Sequence, residues 1–214
     1  MCSIILVALV FSQLFSIVYQ HATITQPYQA FASNATTAIV QNSTNESLGN
    51  NTASFLTYRD PIYGIKIEYP SDWNKTEGAS FVEFRLPAEG YNRTTNITDL
   101  IALEIRVDIL PPDITSPDQY SRAKLIAHRQ YGEFNLLESN ATTIASNVPA
   151  LKAVYTNTFP KTGEILKTME IITIKDKIGY DIRYFADPAS DYSKYLPIVQ
   201  KMIDSFEFIG LTES

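Results

Sequence analysis

An α+β fold, with a central antiparallel β-sheet flanked by helices, is the class predicted by this 214-residue sequence. Three observations carry the prediction. Apolar and polar residues alternate with period two in several segments, one helix start is fully signposted, and the elements run strands, helix, meander, helix. Period two marks a half-buried strand, because successive side chains point to opposite faces. That order of elements suits an antiparallel sheet with helices on its faces.

From Phe55 onward the pattern is that of strands. Ile65, Ile67 and Tyr69 alternate with Lys66 and Glu68, after a turn built on Asp60-Pro61 and Gly64. Proline pre-sets φ there and glycine accepts a positive φ. Pro70-Ser71-Asp72 ends the strand and places Trp73 to fold back on it. Val82, Phe84 and Leu86 alternate with Glu83 and Arg85, before a polar loop over 87–98. Leu103, Ile105, Val107 and Ile109 then alternate with Glu104, Arg106 and Asp108 until Pro111-Pro112 stops the run. Ser116 can cap a helix, Pro117 suits its first position, Asp118 its positive dipole end, and Gln119 completes a capping box. That helix should reach Tyr131, with Gly132 closing it. Strands follow over Phe134–Glu138, Ala150–Phe159, Ile165–Lys175 and Gly179–Ala186, with turns at Lys161-Thr162-Gly163 and Asp176-Lys177. Leu196, Val199, Met202, Ile203 and Phe206 recur at helical spacing after Pro188. Pro197 belongs in the first turn of that helix, since it would break the interior. A short strand over 206–209 ends the domain.

The acceptor pattern Asn-x-Ser/Thr begins at Asn34, Asn42, Asn45, Asn50, Asn74, Asn92, Asn96 and Asn140. Sugar is transferred to it only across a membrane, and each acceptor is expected on an exposed loop. Residues 4–18 are apolar apart from Ser12, Gln13 and Ser16, which suits a signal core or short anchor better than a full span of about 20 residues. Residues 1–22 are therefore read as signal peptide or membrane anchor. Residues 23–54 are rich in Thr, Asn, Ala, Gln and Ser, with Glu46 as the only charge, and read as a disordered, glycosylated stalk. Residues 55–210 form the folded domain. Cys2, the sole cysteine, lies in the leader, so that domain holds no disulfide. A net charge of −6 argues against nucleic acid and against anionic lipid surfaces. The expected location is extracellular or at the cell surface.

Three stretches carry a family likeness. Tyr58 to Trp73 has a Tyr63-Gly64 turn feeding a strand that ends in Pro70-Ser71-Asp72-Trp73. The middle is the strand pair around Ile172–Ile174 and Tyr180–Tyr184, and the close runs from Tyr192 through Pro197 to Met202–Phe206. Over Phe55 to Ile209 the chain resembles the PsbP-like family, named after an extrinsic subunit of photosystem II, and is similar to its secreted archaeal members. The resemblance implies an α/β/α sandwich and a non-catalytic role in binding or assembly. No cofactor or metal residues carry over, because the clustered histidines such a role would use are absent.

Chemistry is sparse. His21 lies near the leader, and His128 shares a helix face with Lys124, Gln119 and Arg122 that reads as solvated. One domain histidine and no domain cysteine exclude the usual zinc sets and Cys/His pairs, and no Gly-x-Ser-x-Gly elbow is present. Glu68, Glu83, Glu104 and Asp108 sit on polar strand faces. Two could approach as a glycosidase pair does, but Lys66, Arg85 and Arg106 alternate beside them, which favours cross-strand ion pairs. Asp60, Asp72 and Glu77, or Asp187 and Asp191, could offer oxygen to calcium, yet aspartate there is also the usual turn and cap residue. Tyr58, Tyr63, Tyr69 and Trp73 are either local core or an interaction surface. The function expected is that of a non-catalytic exported domain that binds or helps assemble a cell-envelope protein, with an envelope or membrane protein as partner. The alternative is an extracellular carbohydrate- or small-solute-binding module, a hydrolase being the remotest reading.

Overall fold

Alternation and turn chemistry place most of the elements where the structure has them. The computed structural model describes residues 54–87 and 100–210; the expected leader and stalk, and acceptors Asn34, Asn42, Asn45, Asn50, Asn92 and Asn96, lie outside the described residues. In chain order the elements are β1 (Phe55–Asp60), β2 (Ile65–Pro70), β3 (Asn74–Gly78), β4 (Phe81–Arg85), β5 (Leu100–Ile109), α1 (Pro117–His128), β6 (Glu133–Ile144), β7 (Val148–Thr158), β8 (Ile165–Lys175), β9 (Ile178–Asp187), α2 (Tyr192–Asp204) and β10 (Glu207–Phe208). Seven strands form one antiparallel sheet in the order β3-β4-β5-β9-β8-β7-β6, and β1-β2-β10 form a smaller one.

The main sheet has two unlike faces. One carries Val82, Phe84, Leu103, Ile105, Met169, Ile171, Ile182 and Tyr184, which join Ile65 and Ile67 of the small sheet, Val199 and Met202 of α2, and Phe206 between α2 and β10 in one apolar cluster. Area removed from water holds this side together, at about 25 cal/mol per Å². Its helix, α2, presents Val199, Met202 and Ile203 to the core as its spacing predicts. The other face carries the charged residues of the alternation and is covered by α1.

The start of α1 matches the signposts in full. Ser116 Oγ accepts from Gln119 N, and the Gln119 side chain accepts in return from Ser116 N, at 3.1 Å. The helix ends at His128, three residues before the expected Tyr131, and a 3-10 turn over Arg129–Tyr131 carries the chain to Gly132. A Cβ at Gly132 would sit 2.4 Å from the Thr158 carbonyl, so glycine is required for β6 to enter the sheet.

Several expectations need correcting. Pro197 lies inside α2, not in its first turn. Its ring leaves only the Ser193 carbonyl without a helical donor, and both residues are exposed, so water can serve that oxygen. Ile109 is 95% exposed, because β5 outruns β4 at this end. The strand β3 has no burial alternation, every residue being exposed, and carries no periodic signal. Asn74 and Asn140, expected on loops, lie in β3 and β6, though both are exposed. Here β6 continues to Ile144 and returns through Ala145, Ser146 and Asn147, all at positive φ, a conformation these residue types do not announce.

Tyr120 of α1 rests on Gly179 of β9, where an added Cβ would lie 2.6 Å from the ring and 2.8 Å from Leu110 Cδ2. Replacing Gly179 by alanine should force α1 outward and cost about 1–3 kcal/mol of stability. Urea unfolding of the Gly179→Ala variant checks this; an unchanged midpoint would mean that the helix is not seated on the strand.

Candidate functional site

Strand pairing decides which charges meet. On β5 and β9, Glu104 lies opposite Arg183 and Arg106 opposite Asp181. Glu170 of β8 is the next neighbour of Arg183, and Glu83 of β4 faces Glu104 from the other side. Over this face α1 lowers Tyr120, Ser121 and Lys124, all buried, and half-buried His128. A lysine as a helix's inward residue is unusual, since burying its charge is costly unless it is paired.

Here every charge has an unlike neighbour. Lys124 Nζ is 2.6 Å from Asp108 Oδ2 and 3.1 Å from Asp181 Oδ2. Arg183 donates to Glu104 and has its Nε 3.7 Å from Asp181. Arg106 grips both oxygens of Glu104, each at 3.3 Å. His128 Nε2 lies 3.1 Å from Glu170 Oε1, with its ring stacked on Tyr155, and the Tyr120 hydroxyl donates to Asp108. The four carboxylates Glu104, Asp108, Glu170 and Asp181 thus meet three permanent cations, Arg106, Lys124 and Arg183; His128 supplies the fourth positive charge when protonated. The layer is not fully hydrogen-bonded: among the described residues Glu170 Oε2, both Asp181 oxygens and Arg183 Nε lack a hydrogen-bond partner, so Asp181 is held by charge alone.

Burial by itself would raise the carboxyls. For Glu104 it is outweighed by Arg183 and Arg106, which hold the group below its ordinary value against opposition from Asp181. For Glu170 it is outweighed by His128, then Arg183 and Lys124. Burial would likewise lower Arg183, but Glu104 and Asp181 push it well above the usual guanidinium range. Tyr120 and Tyr155 are raised far above an ordinary phenol, first by burial and then by Asp108 and Glu170 respectively. None of these shifted groups is poised to exchange a proton near neutrality, which general acid–base catalysis needs.

The expected carboxylate quartet is split. Glu83, Glu104 and Asp108 share this face, whereas Glu68 lies in the small sheet. Glu83 is gripped by Arg85 at 3.0 and 3.2 Å, so each of the three on this face is neutralised and the glycosidase reading fails. His128 and Lys124 do not lie on a solvated helix face, because α1 docks through its polar side onto a polar sheet. Sequence reasoning misses Glu170, Asp181 and Arg183. The signal for Asp181 and Arg183 is their alternation with Tyr180, Ile182 and Tyr184 along β9, whereas Glu170 stands in the apolar run Met169–Ile172 with no such pattern.

Of the four rings read as either local core or an interaction surface, three are core. Tyr58, Tyr69 and Trp73 are buried, with Tyr58 and Tyr69 packed on Phe84 at centroid distances of 5.8 and 4.5 Å. Half-buried Tyr63 is tied by its hydroxyl to the Ala79 carbonyl. Asp60 is a turn residue, accepting from Ile62 N and Tyr63 N at 2.8 and 3.0 Å, and Glu77 pairs with Lys75. Among the described residues no group of His, Cys, Asp and Glu could hold a metal ion, and no helix is long and apolar enough to cross a membrane.

The sequence matches the family profile "PsbP-like protein" over residues 10–208. No curated protein sequence matches it. Among solved structures it is similar to the cyanobacterial PsbP (CyanoP) of Synechocystis sp. PCC 6803, at 14% identity and a TM-score of 0.54, covering 77% of this chain and 98% of that one. It is also similar to LpqN of Mycobacterium tuberculosis, a protein involved in cell envelope biogenesis, at 12% identity, a TM-score of 0.49, and 75% and 93% coverage. A protein of unknown function from Pseudomonas aeruginosa is similar at 18% identity, a TM-score of 0.48, and 71% and 94% coverage. At these identities the likeness is one of fold.

Replacing Lys124 by methionine should keep the packing and leave Asp181, which is 0% exposed, with only the more distant Arg183 as a cation, at a cost of about 3–5 kcal/mol. A double change, Lys124→Met with Asp181→Leu, should recover part of that loss, as a denaturant titration of both variants will show. Because Glu104 and Glu170 are held below their ordinary 4.5 in the folded chain, unfolding takes up protons in acid. Their contribution is full above about pH 4.5–5 and lost as pH falls through the lowered folded values. Thermal melts at graded pH should therefore hold level down to that range and drop below it, and the drop should shrink in Glu170→Gln.

Proposed function

The chain belongs to the PsbP-like protein family, and from that premise we propose that it is a non-catalytic exported domain that binds, or helps assemble, a protein of the cell envelope. The observation that carries this reading is an exposed apolar end. Ile62, in the β1–β2 turn, is 77% exposed, and Ile109, at the tip of β5, is 95% exposed. The turns at this end are knit together. Tyr180 Oη donates to the Tyr63 carbonyl at 2.9 Å, Val107 N to Ser80 O at 2.9 Å, and Ile209 N to Gly64 O at 2.8 Å. Large aliphatic side chains held in water on a firm platform are what a protein partner can desolvate.

The charged layer supports binding over turnover, since its acids and bases neutralise one another. Acceptors Asn74 and Asn140 leave this end clear, Asn74 being at the far end of β3 from the β3–β4 turn and Asn140 level with the middle of the sheet. The eight acceptor patterns and apolar leader support a surface location, with the leader as a tether when retained.

A second reading, a small-solute-binding module, is favoured by one groove of about 410 Å³ between the β6–β7 hairpin and α2. Met169, Ile171 and Ile203 contribute apolar surface and Asn147, Lys152 and Gln200 polar groups. No aromatic ring lines it, so it lacks the stacking wall usual for a sugar ring.

A photo-crosslinking residue at position 62, at the same end as Ile109, should yield one discrete adduct in the native envelope, while the same residue at Lys161, at the opposite end, should not. Ile109→Arg should abolish capture yet shift stability by no more than about 0.5 kcal/mol, being a surface change. Equal labelling at both ends, or capture surviving Ile109→Arg, would remove the case for this surface.

A further inference from the structure

A β-sheet of seven strands has two open edges, and here they are β3 and β6. Each presents a row of backbone N–H and C=O groups with no partner strand among the described residues. Such rows are templates for pairing with another chain. The two acceptor asparagines among the described residues lie on these two strands: Asn74-Lys75-Thr76 opens β3, and Asn140-Ala141-Thr142 lies within β6. Both asparagines are exposed. The other strand asparagines, Asn135 and Asn157, lack the pattern, and Asn157 is buried in β7. The edges of the smaller sheet carry no acceptor; β10 has two residues, and β1 ends in Arg59 and Asp60.

We propose that N-linked sugars on Asn140 and Asn74 guard the sheet edges, blocking strand addition by a second copy of this chain. The inference rests on the export reading above. In the transfer, the side-chain nitrogen displaces a lipid-linked phosphate from the anomeric carbon of an activated sugar. The N–C bond forms, the anomeric C–O bond breaks, and the amide proton leaves with the phosphate. One N–H remains, and Asn140 Nδ2 already donates one bond, to Glu138 Oε1 at 2.9 Å.

The two edges are not equally exposed to risk. With five residues including Lys75 and Glu77, β3 is already short and charged. By contrast β6 runs twelve residues with Glu133 and Glu138 as its only charges. A bulge between Leu136 and Glu138 spoils its first half for pairing. The remaining Ser139–Ile144 is regular and uncharged and ends in the β-formers Thr142, Thr143 and Ile144, and Asn140 stands in it. Asn140 is the guard that matters most.

The test uses the full chain, secreted from a host that attaches N-linked sugars. Site occupancy is read by mass spectrometry and self-association by sedimentation velocity. The glycosylated chain should be a monomer, and Asn140→Gln should shift it toward dimers with rising concentration. Thr142→Ala, which abolishes the acceptor and keeps the asparagine, should do the same, so that a folding defect in one variant does not decide the matter. Adding Ser139→Lys should restore the monomer by charging the same edge, whereas Asn34→Gln should change nothing. Occupied sites whose loss leaves a monomer would overturn the guard and spare the export reading. Sugar at Asn34 to Asn50 with Asn74 and Asn140 bare would do likewise. A chain that the host retains inside the cell, bare at every acceptor, would overturn both.

Discussion

Charge neutralisation beneath α1 is the constraint on which the rest of the structure depends. Asp181, Glu170 and Lys124 are taken almost wholly out of water, and an unpaired charge there would cost several kcal/mol. The helix can therefore sit only where Lys124 reaches Asp108 and Asp181 while His128 reaches Glu170. Strand register is bound by the same condition. A one-residue slip of β9 against β5 would carry Arg183 and Asp181 into the apolar layer and bring Ile182 under the helix. Once α1 is seated, the chain leaves it beside the far edge of the sheet, and β6 follows there.

The two faces of one sheet thus obey different rules. Against α2 and the small sheet, shape and apolar area suffice, and the rings of Tyr58, Tyr69 and Phe84 interlock. Against α1, partners must match in sign and position, which makes that side specific but adds little net stability. Paired acids and bases are also unavailable for chemistry. The contacts proposed for the domain accordingly lie at its margins: the apolar end around Ile62 and Ile109, and the open edges of β3 and β6.

Signals along the chain are legible where their cause is local. The capping box at Ser116 and Gln119, the Asp176-Lys177 turn with both residues at positive φ, and the alternation of β2, β5 and β9 follow from two to ten neighbouring residues. The pattern misleads where the cause lies elsewhere in the chain. The strand β3 exists because β4 pairs with it, not because Asn74–Gly78 has a strand pattern. The latter part of β6 follows β7 in the same way, although its Ser139-Asn140 step suggests a loop. Pro197 stays in a helix because the oxygen it leaves unpaired faces water.

By itself, the sequence determined the class of fold, the position of the first helix, the apolar layer and the acceptor pattern, because each is encoded in spacing along the chain. It also held the polar alternation of β5 and β9, which carries Glu104, Arg106, Asp108, Asp181 and Arg183, though not Glu170 of β8 or the inward residues of α1. Only the tertiary structure decided that a helix covers that layer, so that Lys124 and His128 turn inward and Glu104 and Asp108 are spent on ion pairs. It alone decided that Tyr58, Tyr69 and Trp73 are core, and that Asn74 and Asn140 stand on edges. The physical reason is that burial and pairing are properties of which surfaces meet. Residues 42 apart in sequence, as His128 and Glu170 are, cannot show their contact until the helix has settled on the sheet.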